Sequence, residues 1–135
     1  MNKLSNVVIA LAGLLVLGPA VAQQDFSNVQ IQTTKVADDL YMLVGAGGNL
    51  SLSVGDDGAF LVDDQFAPLS DKILAAIAKV TDDDVRFLIN THFHGDHTGG
   101  NENIGRTGAI IVAHENVRAR MSTDQFRAIF NRFSN

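Results

Sequence analysis

An α/β domain, with a run of short strands first and alternating strands and helices after it, is predicted by three features of this 135-residue chain. Apolar and polar residues alternate with a period of two through the first half, as in half-buried strands. The period lengthens to that of a helix after Pro68, and a short apolar run returns at Val85 to Ile89, just before a polar segment dense in histidine and glycine. With 46% hydrophobic and 19% charged residues the composition is globular rather than disordered, and the length suits one small domain.

Residues 1–22 are expected to stand outside that domain. Lys3 supplies a positive start, Val7 to Leu17 form an apolar run, Gly18-Pro19 break it, and Ala20-Val21-Ala22 offers an A-x-A cleavage site, the pattern of a secretory signal peptide. The run is shorter than the ~20 residues that span a bilayer, so no stable membrane anchor is expected, and cleavage near Ala22 would leave residues 23–135 in the periplasm or outside the cell. The chain contains no cysteine, which excludes disulfides, thiolate ligands and lipidation at an N-terminal cysteine.

Gln23 to Val29 is polar and read as a loose lead-in. Val29, Ile31 and Thr33 alternate as a first strand, and Leu40 to Val44 form a second after the turn at Asp38-Asp39. Gly45-Ala46-Gly47-Gly48 breaks the pattern and is read as a turn; it is no phosphate loop, because no Lys-Ser/Thr follows and the next segment is a strand. Leu50, Leu52 and Val54 alternate with serines, Asp56-Asp57-Gly58 turns the chain, and Ala59 to Val62 is a buried strand. Ser70 is the expected N-cap of a helix whose Ile73, Leu74, Ile77 and Val80 share one face, with Asp71 complementing its dipole. Thr81 to Asp84 close that helix as a solvated turn. Beyond the histidine-rich segment, Ala109 to Val112 is a strand, a short helix runs from His114 to Met121, and Ser122 to Gln125 caps a last helix carrying Phe126, Ile129, Phe130 and Phe133 on its core-facing side. His114, a lone histidine at a helix start, is read as structural.

Three of the four histidines lie in Asn90-Thr91-His92-Phe93-His94-Gly95-Asp96-His97-Thr98-Gly99-Gly100-Asn101. Imidazole is a favoured ligand for zinc, and alternate residues of an extended chain point the same way, so His92 and His94 can converge on one ion. Gly95 is expected to turn the backbone sharply and direct Asp96 and His97 to a second. The spacing therefore predicts half of a two-metal site, with His92, His94, Asp96 and His97 as ligands.

Thr91-His92-x-His94-x-Asp96-His97 followed by Gly99-Gly100 resembles the hallmark motif of the metallo-β-lactamase superfamily, and the order of elements from about Val36 onward is similar to the N-terminal half of that fold. The resemblance implies an α/β fold that is the first αβ half of an αββα sandwich, and a hydrolase holding two Zn2+ ions when complete. It implies hydroxide attack on an ester, an amide of the β-lactam kind or a related bond, with Asp96 as the catalytic residue that orients the nucleophile or carries its proton. It also implies that one aspartate of Asp63-Asp64 supports the metal site from behind; the sequence does not choose between them, or between that role and a solvated loop. His97 in place of arginine disfavours one β-lactamase subclass, while others, and thiolesterases, lactonases and phosphodiesterases, remain open.

The family takes its remaining ligands from a C-terminal half, and after His97 this chain offers His114 and Asp124 outside any matching motif. Residues 23–135 are thus expected to be the N-terminal part of a truncated domain, with an unpartnered sheet face along Leu50 to Val54 and a tendency to dimerise or to need a complementing half. The expected ligand is a small-molecule substrate. Nucleic acid is not, because the formal charge is −5 and loss of Lys3 leaves 15 acids against 9 bases, or −6, with the cations scattered.

Overall fold

The computed structural model describes residues 24–122, 125–127 and 132–134. The expected signal peptide lies outside them. Four strands form an antiparallel meander: β1 (Gln32–Ala37), β2 (Leu40–Val44), β3 (Leu50–Ser53) and β4 (Ala59–Val62). The chain then crosses through a 3-10 turn at Ala67–Leu69 and helix α1 (Ser70–Ile77) to β5 (Val85–Asn90), which pairs parallel to β4. Parallel neighbours require such a crossover, since a tight hairpin reverses direction. Two one-turn helices, α2 (Gly95–Thr98) and α3 (Asn101–Gly105), carry it to β6 (Ile110–Ala113), parallel to β5. The spatial order of the sheet is β1-β2-β3-β4-β5-β6, and α4 (Glu115–Met121) follows.

One face of this sheet is the core. Leu43, Leu50, Leu52, Leu61 and Leu88 are buried against Leu69, Ile73 and Ile77 of the crossover and Ile104 of α3. The stripe expected to lie open, Leu50 to Val54, is therefore this covered one: Leu50 is 1% and Leu52 0% exposed. Alternation separates two faces without saying which is covered. Phe60, Val62, Phe87 and Ile89 lie half-buried on the other face, with the Phe60 and Phe87 rings stacked at 5.0 Å.

Other boundaries moved for local reasons. Strand β1 starts later than expected because the lead-in is held elsewhere: Lys72 Nζ donates to the carbonyls of Phe26, Ser27 and Val29 at 2.7–2.9 Å, and Phe26 packs on Phe66. Ser70 is not the cap of α1 but its first residue; Leu69 occupies the cap, and the Ser70 hydroxyl donates to Ala67 O. Helices α2 and α3 have no apolar periodicity to announce them. Where a terminal helix was expected, β7 (Gln125–Arg127) and β8 (Arg132–Ser134) pair antiparallel with Phe126 opposite Phe133. Aromatic residues have high strand propensity, so spacing that fits a helical stripe also fits a short hairpin. Ile129 and Phe130 lie outside the described residues.

Candidate metal centre

Strand β5 ends at Asn90, and the histidine motif begins at the C-terminal end of the two central parallel strands, where open α/β sheets usually place their ligands. The chain bends through Thr91, His92 and Phe93 rather than continuing as a strand, is extended at His94 (φ −69, ψ 145) and then coils. His94 is the N-cap of α2, accepting from His97 N at 2.9 Å and Thr98 N at 3.1 Å, and Asp96 and His97 lie on that helical turn. Gly95 was expected to be a conformational necessity and is not: its φ is not positive, and a Cβ there would meet nothing within 4 Å. The turn comes from helix initiation.

Asp63 settles which aspartate supports the motif. It leaves β4 in a left-handed conformation, φ 61, which turns its carboxylate towards the end of β5. Oδ1 accepts from Thr91 N at 2.8 Å, and Oδ2 accepts from Thr91 Oγ1 and contacts His97 Nδ1, both at 2.8 Å. The Thr91 hydroxyl, its proton given to Asp63, lies 3.0 Å from His92 Nδ1 and so accepts from that ring. One carboxylate therefore sets the tautomer of two imidazoles, His97 directly and His92 through Thr91. These contacts suit the tautomer with the proton on Nδ1 and the lone pair on Nε2, the arrangement that orients metal-binding histidines.

The motif side chains do gather. The His92 ring centroid lies 4.0 Å from that of His97 and 4.7 Å from that of His94, while His97 Nε2 is 3.5 Å from Asp96 Oδ2. His92, Asp96 and His97 are half-buried and His94 is exposed. Among the described residues, however, no group of three or more His, Cys, Asp or Glu side chains is arranged to hold a metal ion. The donors are of the right chemistry, and the His92 ring lies nearer that of His97 than that of His94.

Two features of the surroundings carry more than sequence reasoning assigned them. Gly45-Ala46-Gly47-Gly48 is not merely a turn: an added Cβ at Gly48 would fall 2.2 Å from His97 Cε1, and one at Gly47, whose φ is 91, would fall 2.8 Å from Asp96 Cβ. The loop packs backbone-first against two motif residues, a role hinted at only by having more glycines than a turn needs. Asp64 turns away from the cluster, fully buried, its Oδ1 accepting from Gly100 N at 2.9 Å and its Oδ2 without a partner. Burial pushes its carboxyl up to about 7; the Gly100 bond opposes this, nearby Asp63 adds to it and His97 subtracts. His114 is structural, as expected: it caps α4, its Nδ1 accepting from Asn116 N at 3.1 Å.

A family model described as the metallo-beta-lactamase superfamily matches residues 44–134, which is 91 of 135 residues. The chain belongs to this superfamily. Among solved structures, the metallo-β-lactamase BJP-1 of Bradyrhizobium japonicum, subclass B3, shares 28% identity over 68% of this chain at a TM-score of 0.62. A B3 metallo-β-lactamase with an active-site glutamic acid shares 27% over 69% at 0.63, and the class B3 di-zinc enzyme LRA-12 from an Alaskan soil metagenome shares 25% over 76% at 0.65. The matches cover 36%, 36% and 40% of those chains, so this chain spans well under half the length of each. No curated protein matches it. The α/β fold expected from the motif, the N-terminal half of the superfamily's architecture, is the fold observed.

Proposed function

We propose that this chain carries the motif half of a zinc-dependent hydrolase, exported to the periplasm or beyond the cell, that cleaves an ester, an amide of the β-lactam kind or a related bond in a small molecule. His92 and His94 hold one Zn2+, and Asp96 and His97 a second. The observation that carries this reading is the Asp63 hub: its contacts with His97 Nδ1 and, through the Thr91 hydroxyl, with His92 Nδ1 support Nε2 as the nitrogen of each ring that would bind metal. Membership of a superfamily of metallo-hydrolases, and a neighbour described as a di-zinc enzyme, support it. When bound, such an ion supplies an acidified water and a Lewis acid for the scissile group. The chain's own contribution is orientation. Asp96, its side chain 37% exposed and its Oδ2 3.5 Å from His97 Nε2, would hold the attacking group or take its proton. The leader-like residues 1–22 support export; among the described residues no helix is long and apolar enough to cross a membrane.

A second reading is that the chain binds metal but turns nothing over until a complementary C-terminal half, or a second copy, completes it. That no three or more ligand-type side chains among the described residues are arranged to hold an ion favours it, since catalytic zinc ordinarily has three protein ligands and an open position. Elemental analysis after dialysis, run beside a panel of β-lactams, lactones, thioesters and phosphodiesters, separates the two. Turnover abolished by a chelator and restored by zinc supports the enzyme. Fewer than two tightly held zinc ions per chain, with no turnover, supports the incomplete form, and no retained metal at all refutes both.

A further inference from the structure

Gln65 is a costly residue where it stands. It is 1% exposed, with φ 56, a conformation that side chains bearing a Cβ rarely adopt, and burying its long amide also freezes its rotamers. Such strain persists only where the surroundings hold it in place. Its Nε2 donates to Gly48 O at 2.6 Å, and its backbone carbonyl accepts from Gly99 N at 2.9 Å. Its Oε1 is buried without a partner and so close to Gly45 that a Cβ there would fall 2.5 Å away. A single residue thus fastens the Gly45–Gly48 loop to the end of the histidine motif. The fastened loop is the one whose Gly48 lies against the His97 ring and whose Gly47 lies against Asp96.

We propose that Gln65 is a positioning residue: its amide clamps the glycine loop against His97 and Asp96 and so fixes the half-site that these two form. The proposal deepens the assignment of Asp96 and His97 as metal-holding residues and rests on it. Asp63 fixes the His97 ring by a bond to Nδ1, and the clamped loop fixes it by contact. Neither Asp63 nor Gln65 belongs to the H-x-H-x-D-H motif.

The test uses the full chain and two substitutions. Gln65→Gly deletes the amide while accepting φ 56 without strain, so lost affinity is not explained by backbone cost. Gly48→Ala leaves the amide and displaces the ring directly. Stepwise Co2+ titration, read by absorption and by competition with a chelator, is paired with NMR of the His97 ring nitrogens in the metal-free chain. In Gln65→Gly we expect one binding step to weaken by roughly 10–100-fold with the other unchanged, the loss typical of an outer partner. The metal-free His97 ring should move from one tautomer towards an average of two. Gly48→Ala should do the same, and the double variant should be no worse than the more severe single, because both act through one ring. An unchanged metal-free His97 ring in Gln65→Gly overturns the proposal, as does equal weakening of both steps in proportion to a lowered melting temperature. If the parent chain binds no Co2+, the assignment of the metal site fails instead, and the ring measurement alone decides the clamp.

Discussion

Replacing Asp63 by asparagine changes one atom of the hub and should disable half of the centre. Asparagine tolerates the left-handed backbone that Asp63 adopts at φ 61, whereas alanine there would add about 1 kcal/mol of steric cost and confuse the result. The amide oxygen can still accept from Thr91 N, and the Thr91 hydroxyl can rotate to accept from the new NH2 group. The His97 Nδ1–H has no such remedy. It now meets a donor, and the ring avoids the conflict by moving its proton to Nε2, the atom nearest Asp96 and the one proposed to bind metal.

Hydrogen bonds to a charged partner contribute about 1.5–3 kcal/mol net, and one is lost between side chains that are 20% and 5% exposed, where water replaces it poorly. Metal-free stability should therefore fall by about 1–2 kcal/mol once the new Asn-to-ring bond is allowed for. Zinc affinity at the Asp96–His97 half-site should fall by roughly 10–100-fold, as losses of an orienting partner do. Urea denaturation of the metal-free chain measures the first quantity, and competition with a chromophoric chelator the second. An Asp63→Asn chain with parental zinc affinity, or with His97 still protonated at Nδ1, would show that the hub does not set the tautomer.

Three further outcomes are expected. Because burial raises Asp64 to about 7 from 3.8, the folded chain holds a proton that the unfolded chain has released; stability should decline as pH rises from about 4 to about 7 and then level off, by at most roughly 4 kcal/mol. Asp64→Asn, which can still accept from Gly100 N, should flatten that slope in denaturation at several pH values, and an unaltered slope would assign it to other groups. His92→Ala, tested in a version completed by a C-terminal half, should weaken zinc binding by more than the roughly 100-fold limit for outer partners and abolish most turnover; full occupancy with normal turnover would remove His92 from the ligand set. Strand β6 is a sheet edge with Ile110, Ile111 and Val112 exposed at 57%, 43% and 43%, so the isolated chain should self-associate and bind an apolar dye, and Ile110→Lys should reduce both. A dye-negative monomer by sedimentation would mean that this edge is not sticky.

The parts of the fold legible in the sequence were those governed by local rules. Strands β2, β3, β4 and β5 follow from alternation and from the glycine and aspartate turns between them, and α1 from its apolar spacing, since neither depends on distant residues. The ligand-type residues were legible for the same reason: six consecutive positions hold three histidines and an aspartate. What failed was set by tertiary contact. Alternation along Leu50 to Val54 could not say which face the helices cover, and the Phe126 to Phe133 spacing suited two structures equally. Gln65 carries no signature, because the need for its amide arises only when Gly48 and Gly99 are brought beside it.

Asp63 and Asp64 show most plainly why the neighbourhood of the site had to be seen rather than read. They are identical and adjacent, yet β4 ends between Val62 and Asp63, and φ 61 at Asp63 sends the two side chains apart. Asp63 meets the Thr91 amide, the Thr91 hydroxyl and the His97 ring, so both of its oxygens have partners. Asp64 meets one amide and a dry interior, which favours its neutral form up to about pH 7. Two adjacent negative charges behind an array of histidines would repel each other, and burying one aspartate with a single donor relieves that repulsion. The same burial fastens Gly100, and with it the end of the motif, to the strand that carries the hub. An aspartate pair that the sequence offers as two equal candidates is thus divided by one backbone angle into an orienting carboxylate and a structural acid, and exchanging their environments would lose both functions.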